Sequence, residues 1–309
     1  MIAVVCPGQG SQTPGFMLPW LELDSFSKSI DAMAGSSGLD LRAFGTISDA
    51  DTIRDTAVAQ PLIVAAGVAS LAELLAGGQL SDSGISGVAG HSVGEVTAAI
   101  ASGIVTAADG INLVKERGNA MALAAALETT SMAAILGGDQ QVVEARLAEL
   151  GLEPANYNGG GQIVAAGSAS AIAELQAEPP TGTRVIPLQV AGAFHTRYME
   201  PAVAKLDAYT RGLELADPQV RIWSNNGGRE VTSGAEYISL LVSQIKSPVR
   251  WDLTMAAMAA AGVTGIIEVS PGGTLVGLAK RSMPGVELVA LKTPDNLEAA
   301  QALIRNHSN

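Results

Sequence analysis

The chain is 309 residues long, enough for one large domain with a smaller one beside it. Hydrophobic residues make up 48% of it and aromatics only 4%, so small side chains dominate, as in α/β layers where helices lie close on a sheet. The formal net charge of −12, with no Lys/Arg cluster, excludes the basic face that nucleic-acid binding requires, and a single cysteine, Cys6, excludes an internal disulfide.

The first apolar run, Ile2-Ala3-Val4-Val5-Cys6, reads as a buried strand, stopped by Pro7-Gly8-Gln9-Gly10-Ser11-Gln12. Cys6 closes that run and is expected to pack in the core. The opening residues lack the charged start and cleavage site of a signal peptide. Residues 55–75 carry a helical pattern in which Pro61 predicts a kink or a restart. The longest apolar stretch, 61–78, contains Ser70 and Glu73 and falls short of a good membrane span. A cytoplasmic protein with no membrane partner is expected. Residues 86–89 read as a short strand leading into Gly90, and Thr106 or Asp109 caps a helix running to about Leu127.

From there the pattern changes. Residues 131–136, 153–158, 162–167 and 184–190 read as strands, with helices over 139–150 and 168–177. The order β-α-β-β-α-β is that of a ferredoxin-like unit. It predicts a subdomain over 128–193, inserted into a larger α/β catalytic domain made of 1–127 and 194–309. In the second part of that domain, 198–211, 235–245 and 252–261 read as helices, and 220–224 and 265–269 as strands. Only the tail, His307-Ser308-Asn309, reads as frayed.

The segment Gly90-His91-Ser92-Val93-Gly94 fits the G-x-S-x-G elbow, in which a serine sits on a tight strand-to-helix turn. Residues 95–101 read as the helix, whose N-terminal amides would lie beside Ser92 where an oxyanion needs donors. With 35 glycines in the chain the pattern can also arise by chance. The motif predicts an α/β fold whose large domain is α/β-hydrolase-like, with a parallel sheet. A serine hydroxyl needs a base, and the chain has three histidines. His91 adjoins Ser92 and should project away from it, while His307 lies in the polar tail with nothing to hold it. That leaves His195, where the inserted unit rejoins the larger domain and a cleft is expected. A histidine capping the following helix is the alternative. The mid-chain place of His195 departs from ordinary α/β-hydrolases, whose histidine comes late in the chain.

Taken together, the motifs resemble those of the malonyl-CoA:acyl carrier protein transacylases, over nearly the whole chain. The resemblance rests on Pro7-Gly8-Gln9-Gly10-Ser11-Gln12, on Gly90-His91-Ser92-Val93-Gly94-Glu95 and on Arg117-Gly118. It continues through Gly161-Gln162-Ile163-Val164-Ala165-Ala166-Gly167, Gly192-Ala193-Phe194-His195-Thr196, and Gln244 ahead of Pro248-Val249-Arg250-Trp251. It implies transfer of malonyl from coenzyme A to the phosphopantetheine thiol of acyl carrier protein, through an acyl-serine, for fatty-acid synthesis. Ser92 would be the nucleophile and His195 the base, with the main-chain amides of Gln9 and Val93 forming the oxyanion hole. The main-chain carbonyl of Gln244 would orient His195 in place of an aspartate.

Arg117 would hold the free carboxylate of the malonyl group through two parallel hydrogen bonds. A surface arginine snorkelling beside Lys115 and Glu116 is the alternative. Phe194 would crowd an α-methyl branch, and Asn158 and Gln162 match positions near the mouth, where pantetheine contacts or core hydrogen bonds both fit. No metal or redox cofactor is implied, malonyl-CoA being a substrate, and a monomer is expected. An acidic carrier meeting an acidic chain requires a local basic patch, for which Lys280, Arg281, Lys115 and Arg184 are candidates. The glycine-rich run 156–161 predicts a mobile loop at the cleft. Two other functions keep the same residues: a thioesterase or esterase, which leaves Arg117 without a role, and a subunit of a malonate-decarboxylating complex.

Overall fold

The structure is a computed structural model that describes residues 1–307; Ser308 and Asn309, in the tail expected to fray, lie outside the described residues. Its strands in chain order are β1 (Ile2–Cys6), β2 (Gly87–Gly90), β3 (Thr130–Gly137), β4 (Glu153–Gly159), β5 (Gln162–Ser168) and β6 (Thr183–Pro187). They are followed by β7 (Arg221–Trp223), β8 (Glu230–Val231), β9 (Val249–Arg250), β10 (Gly265–Glu268) and β11 (Glu287–Ala290). The larger sheet runs β11-β10-β1-β2-β7-β8 and is parallel except at its β7–β8 edge. The smaller runs β6-β3-β5-β4-β9 and is antiparallel except where β4 meets β9. The fold is mixed α/β with two mixed sheets.

The larger sheet follows directly from its apolar runs. Every residue of β1, β2 and β10 is buried, as in parallel strands covered by helices on both faces. Cys6 is fully buried, and that burial raises its thiol far above the usual range, so it packs and does not react. Register sets Cys6 beside Gly90 and Ala89 beside Trp223. The chain therefore leaves β1, β2 and β7 side by side at their carboxyl ends, the edge where open α/β sheets hold ligands.

Helix Thr56–Leu74 runs unbroken through Pro61, where the sequence predicts a kink or restart. Pro61 lies early in the helix and removes one backbone hydrogen bond, and the burial of most of the helix outweighs that loss. By length and composition this helix does meet the requirement for crossing a membrane, yet 72% of that window is buried inside the protein. Other helices escaped the sequence reading, among them Asp24–Ser37, Thr274–Ser282 and Leu297–His307. Each buries only a few residues on one side.

The smaller sheet reproduces the predicted element order, with helices Gln140–Glu149 and Ala169–Ala177 packed on one face. Alternation along the strands divides its side chains between two cores. Ala133, Ile135 and Ile163 meet Val143, Leu147 and Leu175 of those helices. Met132, Val164 and Ala166 face the opposite way and join the main core. The glycine-rich run read as a mobile loop instead closes the β4–β5 hairpin. Gly160 and Gly161, with φ of 56° and 75°, supply the two left-handed residues that such a two-residue turn requires. The sheet also extends beyond the predicted 128–193 segment: β9 pairs with β4 at Asn156 and Tyr157.

Candidate active site

Ser92 follows β2 at the sharp turn into helix Gly94–Ala101, with a φ of +51° that non-glycine residues rarely adopt. The flanking glycines are sterically required. A Cβ on Gly90 would sit 2.0 Å from the Gly94 carbonyl carbon, and one on Gly94 would sit 2.1 Å from the Cys6 carbonyl oxygen. Only bare backbone lets helix and strand approach this closely around the serine.

His195 reaches Ser92 from the far side of the cleft. Its φ is +62°, and its amide donates to the Ile245 carbonyl at 3.1 Å. The ring Nδ1 lies 2.8 Å from the Gln244 carbonyl oxygen, and Nε2 lies 2.7 Å from Ser92 Oγ. A carbonyl only accepts, so the proton sits on Nδ1 and Nε2 is left to accept from the serine hydroxyl. Burial, reinforced by the nearby Arg117 charge, pushes the imidazole down to about 3 and keeps it neutral. The alternative cap role falls to Thr196, whose side chain accepts from the Tyr198 amide.

The other histidines stand apart from the hydroxyl. His91 turns away from Ser92, with Nε2 2.9 Å from Asn158 Oδ1 and its ring edge-on to Trp251. His307 is not loose, as the sequence suggests: it ends helix Leu297–His307, with Nδ1 3.1 Å from the Leu303 carbonyl.

Gln9 and Val93 line the same cavity as Ser92 and His195. Among the described residues neither main-chain amide has a protein acceptor, whereas the Ser92 amide donates to Asn225 Oδ1 and the Gly94 amide to the His91 carbonyl. Two amides therefore remain available beside the serine, one from each of the loops that β1 and β2 release. Met121, Met132, Leu188, Val190 and Phe194 give the cavity an apolar wall.

Arg117 is fully buried, which removes the snorkelling alternative. Its Nη1 donates to Gln60 Oε1 at 2.7 Å and its Nη2 to Gln244 Oε1 at 2.9 Å, while Nη2 also lies 3.3 Å from Ser92 Oγ. Its Nε has no partner among the described residues. Burial lowers the guanidinium to about 10, and Glu95 opposes that shift. Glu95 itself is pushed up to about 8 by burial, against the pull of its hydrogen-bond donors and Arg117.

Other expected residues lie farther away. Asn158 reaches the site only through His91. Gln162 lies in a separate cavity with Tyr157 and Asp252, where its Oε1 accepts from Arg281 Nη2 at 3.3 Å. Lys115 is committed elsewhere, donating to the Ser37 carbonyl at 2.6 Å. Lys280, Arg281 and Arg184 are exposed.

Sequence reasoning missed Gln60, Glu95, Asn156 and Asn225. Asn156 lines the Ser92 cavity. Asn225 accepts from the Ser92 amide and donates to the Gly90 carbonyl at 2.7 Å, pinning the elbow. Gln60 and Glu95 carried a readable signal, as polar residues buried in otherwise apolar helices. Asn225 follows the buried end of β7 and is legible only once the strand order is known. Among the described residues, no group of three or more His, Cys, Asp or Glu side chains is placed to hold a metal.

The chain is similar to known proteins along nearly its whole length. The family model for the acyl transferase domain matches residues 3–305. The malonyl CoA-acyl carrier protein transacylase of Mycobacterium tuberculosis is 46% identical over 298 residues, spanning 96% of this chain and 98% of that protein. A crystal structure of MCAT from Mycobacterium tuberculosis superposes with a TM-score of 0.93 at 46% identity, over 97% of this chain and 99% of that one. A malonyl-transacylase solved in complex with a type II PKS acyl-carrier protein has a TM-score of 0.91 at 29% identity, over 98% and 99% of the two chains. The chain belongs to the acyl transferase domain family, among the malonyl CoA-acyl carrier protein transacylases.

Proposed function

We propose that the chain moves a malonyl group from coenzyme A to the phosphopantetheine thiol of an acyl carrier protein, acting as a cytoplasmic monomer in fatty-acid synthesis. The observation that carries this reading is the buried Arg117, whose Nη2 lies 3.3 Å from the Oγ of a serine already paired with histidine. Ser92 Oγ attacks the thioester carbon while its proton passes to His195 Nε2. The amides of Gln9 and Val93 take up the oxyanion. Collapse breaks the C–S bond, and the coenzyme A sulfur leaves with the proton from His195. The carrier thiol then attacks the acyl-serine, and the same groups run the steps in reverse. The Gln244 carbonyl keeps Nδ1 protonated throughout, although it stabilises an imidazolium less than a carboxylate would.

Arg117 grips the free carboxylate of the acyl group with donors that an acetyl group cannot use. Phe194, in the apolar wall, narrows the cavity against an α-methyl branch. We assign Asn158 and Gln162 to the approach taken by the pantetheine arm, with exposed Arg281, Lys280 and Arg184 meeting the acidic carrier. The reaction so read uses no metal or cofactor. The strand order β6-β3-β5-β4 and the β-α-β-β-α-β sequence support 128–193 as a ferredoxin-like subdomain. The parallel strands and the elbow support 1–127 with 194–309 as a hydrolase-like catalytic domain.

Intact mass after mixing with malonyl-CoA tests the reading. A malonyl adduct is expected, absent from Ser92→Ala and discharged by added carrier protein. An adduct that survives Ser92→Ala refutes the nucleophile, and discharge to water alone makes the enzyme a thioesterase.

A further inference from the structure

The acyl transfer gives no step to Glu95, yet its carboxylate lies fully buried beneath the elbow. One oxygen, Oε1, accepts from the Asn225 main-chain amide at 2.5 Å, and the other, Oε2, accepts from Gln244 Nε2 at 2.6 Å. Every neighbour is therefore a donor, the set that a carboxylate fits.

The Gln244 side chain is where this matters. Its amide has nearly the same shape either way round, so only its partners decide which end faces Arg117. Glu95 Oε2 and Asn225 Oδ1 both take the Nε2 end, at 2.6 and 3.0 Å. The Oε1 end is thereby turned to Arg117 Nη2 at 2.9 Å. With Gln60 holding Nη1, the guanidinium is fixed at two points and left facing Ser92. Keeping the acid one amide away also matters. A carboxylate paired directly with Arg117 would occupy the donors that an incoming acyl carboxylate needs, whereas Glu95 bonds Gln244 and Asn225 instead and leaves Arg117 Nε without a partner among the described residues.

We infer that Glu95 is a positioning residue for acyl-group selectivity, holding the Arg117 fork toward the acyl pocket through the Gln244 amide. The inference rests on the reading of Arg117 as the carboxylate clamp. Glu95→Gln keeps size and shape but turns one end of the side chain into a donor. If its oxygen keeps the Asn225 amide, its NH2 meets Gln244 Nε2, donor against donor. Relief requires Gln244 to turn or shift, which sets its own NH2 against Arg117.

The test compares single-turnover acylation by malonyl-CoA and acetyl-CoA in wild type, E95Q, Q244L and the double variant, together with a crystal structure of E95Q. The malonyl-to-acetyl rate ratio is expected to fall at least tenfold in E95Q, with Arg117 displaced. In the Q244L background, E95Q is expected to change that ratio less than twofold, because the relay is already broken. Equal loss for both acyl groups, or the same tenfold effect on top of Q244L, overturns the inference. An unmoved Arg117 with unchanged selectivity overturns it too. A displaced Arg117 with selectivity intact upholds the positioning and sinks the clamp reading instead. Should E95Q fail to fold, Q244L alone decides, and retained selectivity overturns the relay.

Discussion

Arg117→Ala is the sharpest perturbation available at this site. In the structure the guanidinium donates through Nη1 to Gln60 and through Nη2 to Gln244, and Nε has no partner among the described residues. Donors therefore remain for a bidentate pair with a carboxylate. Charge-assisted hydrogen bonds contribute about 1.5–3 kcal/mol each, so two are worth about 3–6 kcal/mol. At about 1.4 kcal/mol per factor of ten, the loss in kcat/KM for malonyl-CoA is about 10²- to 10⁴-fold. Acetyl-CoA has no carboxylate to lose, so its rate should hold steady or rise once a charged, buried group is gone. The assay is adduct formation by stopped intact-mass measurement with each thioester, beside a thermal melt that establishes folding. Equal losses with both substrates would refute the clamp and return Arg117 to a structural role.

Two further outcomes follow from the geometry. Because burial holds His195 near 3, far under the ordinary histidine value, its neutral form persists as pH falls, and acylation should show no inflection from it between about pH 5 and 7. An acid limb near 6.5 in a pH–rate profile would mean that the base is less buried than described. Gly94→Ala would drive a methyl to 2.1 Å from the Cys6 carbonyl, in backbone that cannot retreat. A cost of at least ~3 kcal/mol is expected, read as a melting point lowered by several degrees, and a wild-type melt would contradict the packing of the elbow.

What the sequence disclosed depended on how local the signal was. β1 announces itself because a fully buried parallel strand is apolar at every position, and the elbow because its glycines stand at fixed offsets around Ser92. His195 was found by elimination, which works when histidines are scarce. Arg117 gained its role only from the family resemblance, because Lys115 and Glu116 beside it on the same helix let it pass for a surface charge. The contacts around these residues left no such trace. Glu95 meets Asn225 and Gln244 from more than a hundred residues away, and the two-residue β9 carries too little pattern to read as a strand. Gln162 sits in a run that the family motifs made prominent, but its side chain faces another cavity, a matter of strand direction that spacing alone does not give.

The pairing of β9 with β4 bears on how this architecture can be recombined. Arg250, which follows Val249 in β9, also stacks over Tyr157 of β4 at 4.5 Å and pairs with Asp252. A cassette of residues 128–193 moved alone into a foreign host would carry a bare β4 edge, an invitation to pair with another copy. Grafts between relatives should therefore transfer two stretches together, the cassette and the short downstream segment 248–252. In this chain the smaller sheet is not a transplantable module, because one of its edges is encoded outside it.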